Sequence, residues 1–180
     1  MLKKILGVVA LVVLAFLGYV ATRPGTYAVG RSTVVAAPPD AVYALVADFR
    51  RWAEWSPWEK LDPAMKKDFS GAAGTAGASY HWAGNDEVGE GRMTITEARA
   101  PGWIAYRLEF LKPWESVSTT AFELSPEGGG TRVSWSMAGE VGFTEKLFSV
   151  FVDMDAMIGK DFEAGLAALK GVAEKGANRL

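Results

Sequence analysis

A chain of 180 residues with 49% apolar content is sized for one globular core, and its lack of cysteine removes disulfides, thiolate nucleophiles and cysteine-based metal sites. The first 25 residues hold Lys3, Lys4 and Arg23, three of the 19 basic residues, and none of the 21 acids, so the remainder stands at 16 against 21, a balance of −5. That balance argues against nucleic acid as a partner, since phosphate binding requires clustered positive charge.

The N-terminal run ILGVVALVVLAFLGYVA (5–21) is apolar throughout and flanked by Lys3-Lys4 and Arg23-Pro24. Seventeen residues at about 1.5 Å each approach the roughly 30 Å of a bilayer's hydrocarbon, the short end of spanning lengths. A cleaved secretory signal also begins with lysine and an apolar stretch, but needs small residues at its cleavage site. Here bulky Tyr19 lies two positions before Ala21, which favours an uncleaved anchor over secretion after signal cleavage. We expect residues 1–25 to form a single-pass anchor, with the membrane contacted through residues 5–21, and 26–180 to form the folded domain. The lysine pair sets a slight positive-inside bias that places that domain outside the cytoplasm.

TYAVGRSTVVAA (26–37), rich in β-branched residues, reads as a strand. Pro38-Pro39-Asp40 opens a helix, proline being suited to a first turn where its missing N–H has no partner to lose. Val42, Leu45, Val46, Phe49 and Trp52 then fall at helical spacing along one helix, or a pair broken near Asp48. Pro57 stops this segment, so Trp58 leaves on a different one. From 66 to 140 the pattern turns to short alternating runs divided by turns: ASYHWA, GEGRMTITEAR, IAYRLEF, SVSTTAFEL and TRVSWSMAG. Short turns between consecutive strands predict an antiparallel meander with one apolar face. In the last forty residues Met154, Ile158, Phe162, Gly165, Leu169 and Val172 keep helical spacing, predicting a helix of about 20 residues that buries its stripe against the sheet.

The order of these elements, with the pieces APPDAVYALVADFRRWAEWSPW, YHWAGNDEVGEGRMTI, TRVSWSMAG and DMDAMIGKDFEAGLAALK, resembles the START-related (SRPBCC) superfamily that includes Bet v 1-like proteins and the polyketide cyclase/dehydrase and lipid-transport group. The resemblance covers about residues 28–175. It implies an α+β helix-grip fold, a curved antiparallel sheet around a long C-terminal helix, with a hydrophobic cavity between them. Function varies widely on such a fold and has to be argued from the site.

Trp52, Trp55 and Trp58 recur every third position. Trp52 lies on the apolar stripe and reads as core; in the resembled fold the short helices sit at the open end of the grip, which places Trp55 and Trp58 at a cavity mouth. Candidate wall residues come from the apolar sheet face and the long helix: Tyr80, Trp82, Met93, Phe110, Phe122, Trp135, Met137, Met154, Met157 and Phe162. Pockets are mostly apolar, and methionine adapts to varied ligands. Each of these residues reads equally as plain core, and Gly165 either lets backbones approach or leaves cavity space. His81, the sole histidine, points away from Tyr80 and Trp82 and has no obvious carboxylate or nucleophile beside it. Arg107 and Glu109 read as the solvated sheet face. Asp153, Asp155, Asp161 and Glu163 lack the glycine-centred spacing of a calcium loop and suit a helix start instead, so neither a metal nor a cofactor is expected. The leading expectation is a membrane-tethered module that binds a small hydrophobic molecule or lipid. The alternatives are a cyclase or dehydratase using His81, Glu109 or Tyr106 as acid or base, and a chaperone-activator-like interaction domain whose cavity is filled by its own side chains.

Overall fold

The computed structural model describes residues 1–177. Helix α1 spans Leu2–Ala21 and, with no acid in its first turn and an apolar surface all round beyond Lys3 and Lys4, leaves nearly every side chain exposed. Only its C-terminal end meets the rest of the chain, where Val20 is fully buried.

The domain is a seven-stranded antiparallel sheet in the order β1-β7-β6-β5-β4-β3-β2. The strands are β1 Thr26–Val35, β2 Lys66–Ser70, β3 Ser79–Ala83, β4 Glu90–Arg99, β5 Trp103–Lys112, β6 Ser116–Glu127 and β7 Gly130–Glu140. β2, too short and polar to be read separately from sequence, forms one edge by pairing with β3. β1, first in sequence, closes the other edge on β7. Helix α2 (Pro39–Ala47) ends at Asp48, whose extended backbone and Oδ1, accepting from Arg50 N at 3.0 Å, start a separate 3-10 helix at Phe49–Glu54. A helix's last carbonyls lack intrahelical partners. Here buried aromatic side chains supply some of them: Trp52 Nε1 and Tyr106 Oη both donate to Val46 O at 2.9 Å, and Trp55 Nε1 donates to Leu45 O at 3.2 Å.

After β7, a short helix α3 (Phe143–Phe148), unmarked by any periodicity in so few residues, precedes the long α4 (Met154–Ala177). Helix α4 lies along β1 and against α2, burying Phe162, Leu166 and Leu169. Charged clamps fix its height. Arg31 of β1 crosses directly over Gly159, where a Cβ would collide with the guanidinium, to hold Asp155 (3.0 Å) and Glu163 (2.9 Å). Further along, Lys170 Nζ donates to Val34 O at 2.6 Å, and Glu174 accepts from Ala36 N at 2.8 Å. Two of the acids weighed as metal ligands are thus engaged by arginine.

Candidate functional site

A second 3-10 helix, Trp58–Lys60, follows Pro57, and between the sheet, the two 3-10 helices and the first turns of α4 lies a cavity of about 390 Å³. Alternation along the strands aims one face inward, and that face supplies Tyr80 and Trp82 from β3, Met93 from β4, Phe110 from β5, and Trp135 and Met137 from β7. Helix α4 adds Met154, Met157 and Phe162, and Trp58 closes the side nearest the short helices. Tyr80 and Trp82 share their face because β3 pairs with β4 without a bulge. Phe162 stacks on Trp135 at 4.0 Å between centroids, nearly parallel, while Trp58 meets both rings edge-on.

Two of the expected cavity residues, Trp55 from the mouth and Phe122 from the wall, lie elsewhere. Trp55 and Phe122 are fully buried behind the wall: Trp55 packs edge-on against Phe122 and Trp135, and Phe122 stacks on the far side of Trp135 at 4.8 Å. For Trp55 the cause is the local winding. A 3-10 helix repeats every three residues, so the interval of three carries Trp52 and Trp55 onto one inward face, 4.9 Å apart, and proline two residues later does not turn Trp55 outward.

The cavity's polar groups escaped the sequence reading. Glu59, immediately after Trp58, has a side chain only 7% exposed, accepts from Tyr80 Oη at 2.8 Å, and is paired with Lys67. Burial, reinforced by the Glu59 carboxylate, pushes the Tyr80 phenol well above its ordinary range and keeps it a neutral donor. Trp135 Nε1 donates to Thr120 Oγ1 at 3.0 Å, and Tyr27 Oη shares a 2.8 Å bond with Ser118 Oγ. Asp161 and Glu87 add carboxylates to the lining. A lone acid following Pro57 has no periodicity to fix its direction, which is why Glu59 was not legible. Gly165 is settled by proximity: a Cβ there would stand 2.8 Å from the Trp135 ring, so the glycine admits that ring against α4.

None of the three side chains weighed as acid or base borders the cavity. His81 faces outward between Glu90 (3.3 Å) and Asp68 (3.9 Å), two carboxylates that cross-strand neighbours bring to it. Glu109 pairs with Arg107 at 3.2 Å on the same outer face. Tyr106 is sealed in the core, its phenol pushed far up by burial.

Residues 27–174 match the model of the family described as polyketide cyclase / dehydrase and lipid transport. The chain belongs to this family. Its solved structural neighbours agree on the fold. The Aha1 dimer from Colwellia psychrerythraea is 17% identical, with a TM-score of 0.60 over 82% of this chain and 96% of that one. A protein from Thermobifida fusca is 23% identical, with a TM-score of 0.59 over 82% and 93%. The di-domain ARO/CYC BexL from the BE-7585A biosynthetic pathway is 17% identical, with a TM-score of 0.61 over 86% of this chain and 52% of its own. No curated protein matches the sequence significantly. Within the polyketide cyclase / dehydrase and lipid-transport family the α+β helix-grip fold is therefore shown, while helix α1 falls outside the matched segment.

Proposed function

We propose that the chain is a membrane-tethered binding domain that holds a small hydrophobic molecule or lipid in the cavity under α4. Residues 1–25 serve as the anchor and 26–180 as the binding domain. The observation that carries the reading is the cavity itself: about 390 Å³ falls in the range of small-molecule sites, and its wall combines aromatic rings and methionines with a few fixed polar groups. Tyr80 and Glu59 offer one hydrogen-bonded pole, and the methionines of β4, β7 and α4 offer an adaptable apolar one. An interaction domain with a cavity filled by its own side chains fits poorly with a void of this size. Acid–base catalysis is likewise weakly supported, because Glu59 is already committed to Lys67 and Tyr80.

Titration with an acyl chain carrying bromine tests the reading. Trp58, Trp82 and Trp135 border the cavity, so saturable quenching of tryptophan emission is expected, and Met137→Trp, which fills the space, weakens it. Quenching that rises linearly without saturation contradicts the proposal.

A further inference from the structure

The antiparallel register gathers one end of the sheet beside helix α1. Thr26 pairs with Glu140, Gly139 with Ser118, Ser116 with Phe110, and Lys112 with Glu90. The start of β1, the β5–β6 turn, the end of β7 and the β3–β4 turn are consequently at the same end as the C-terminus of α1. The exposed apolar side chains outside α1 concentrate there: Trp114 and Val117 beside the β5–β6 turn, and Phe143, Phe148, Phe151 and Val152 in and after α3. A second crevice of about 610 Å³ opens among these pieces, and it shares Tyr27, Ser116, Ser118 and Met154 with the walls of the ligand cavity.

The depth of this end follows from α1. Phe151 lies 6.3 Å from Phe16, ring to ring, and Arg23 Nη2 reaches Ser149 O at 3.4 Å. Phe16 stands five residues before Ala21, about 7–8 Å down the helix axis. A 20-residue helix spans about 30 Å, the thickness of the hydrocarbon. If Ala21 is at the edge of that layer, Phe151 is carried inside it, at the depth to which interfacial apolar side chains sink.

We propose that the segment 143–152 is an interfacial strap seated in the same leaflet from which α1 emerges, and that the shared crevice opens onto that leaflet as the entrance to the cavity. The occupant of this surface is the phospholipid bilayer. The contact between Phe16 and Phe151 makes the strap continuous with α1, and the apolar exposure is concentrated at the end of the sheet beside that helix. The proposal rests on the anchoring part of the function proposed above, and not on the identity of the ligand.

The native chain has no cysteine, so single cysteines report without background. Full-length V12C, F148C, F151C, V117C and S125C are each labelled with an environment-sensitive fluorophore and reconstituted into phosphatidylcholine/phosphatidylglycerol vesicles carrying spin-labelled lipids at graded depths. Thermal melts confirm that each variant is folded. The expected pattern is deep quenching at position 12, shallow quenching at 148 and 151, severalfold quenching at 117 on the crevice wall, and none at 125 on the opposite end of the sheet. Quenching at 12 with none at 148 and 151 overturns the strap while leaving the anchor intact. Quenching at 148 and 151 but not at 117 overturns the entrance. No quenching at 12 removes the anchor, and the proposal with it. Strap labels that shift to the blue only as protein concentration rises, without lipid quenching, assign the surface to a second copy and also overturn it.

Discussion

Replacing Glu59 by glutamine removes a carboxylate only 7% exposed on the cavity wall while keeping its shape and an acceptor for Tyr80 Oη. The partner left behind is Lys67, whose side chain is 25% exposed against 7% for Glu59. Removing one member of a fully buried ion pair costs about 3–5 kcal/mol; because the remaining ammonium still reaches water, E59Q is expected to cost less than a fully buried pair would, about 2–3 kcal/mol. K67M leaves the less accessible charge unpaired and should cost about 3–4 kcal/mol. The double variant has no orphaned charge, and its loss should be smaller than the sum of the single losses by about 2 kcal/mol. Urea unfolding of the full chain in mild detergent, followed by tryptophan emission at pH 7, reads all three. Additive losses, or single losses below about 0.5 kcal/mol, as for an exposed pair, would refute the account of Glu59 as a desolvated, fixed group.

Further expectations concern packing, cavity shape and pH. Trp55→Ala should destabilise by about 3–5 kcal/mol in the same assay, because the ring is fully buried; Trp58→Ala, on the cavity wall, should cost less and change ligand retention more. Gly165→Ala brings a methyl within 2.8 Å of Trp135 and should cost about 1–3 kcal/mol while displacing that ring toward the cavity, seen as weaker binding of a hydrophobic probe. Asp155, beside Arg31, and Glu90, beside Lys112, are held below the usual carboxylate range by those hydrogen-bonded cations. A depressed carboxyl stabilises the native state above its unfolded pKa of about 4 and loses that contribution as pH falls through its native value. Urea midpoints should therefore drop below about pH 4, and Arg31→Gln should flatten the Asp155 part of that drop; an unchanged slope counts against the clamp.

The architecture was largely legible because burial in a meander imposes a period of two and burial on a helix a period near four. Met93 and Ile95, or Phe162 and Leu169, declare their faces in any register the sheet adopts. The elements that escaped, β2, α3 and the 3-10 helix Trp58–Lys60, are too short to show a period, and β2 is recognisable only from its pairing with β3. The apolar lining was legible for the same reason: of the ten residues expected on the wall and the two expected at the mouth, ten border the cavity, and the other two, Trp55 and Phe122, form the layer behind it. Distinguishing wall from backing requires knowing how the 3-10 helix winds, which proline placement alone does not reveal. Glu59 and the carboxylates flanking His81 were missed for a different reason. Their partners sit on separate elements, 8 residues away for Lys67 and 9 for Glu90, beyond the reach of any helix or strand period, and tertiary pairing alone brings Lys67 to Glu59 and Asp68 to His81.

The central claim is that the cavity under α4 carries a hydrophobic guest. Native mass spectrometry of the full chain, extracted in mild detergent and followed by denaturing release, tests it most directly. The account predicts a stoichiometric lipid or other hydrophobic molecule bound to the protein and absent from folded Met137→Trp. A bare protein that also takes up no member of a panel of lipids and hydrophobic dyes would contradict it.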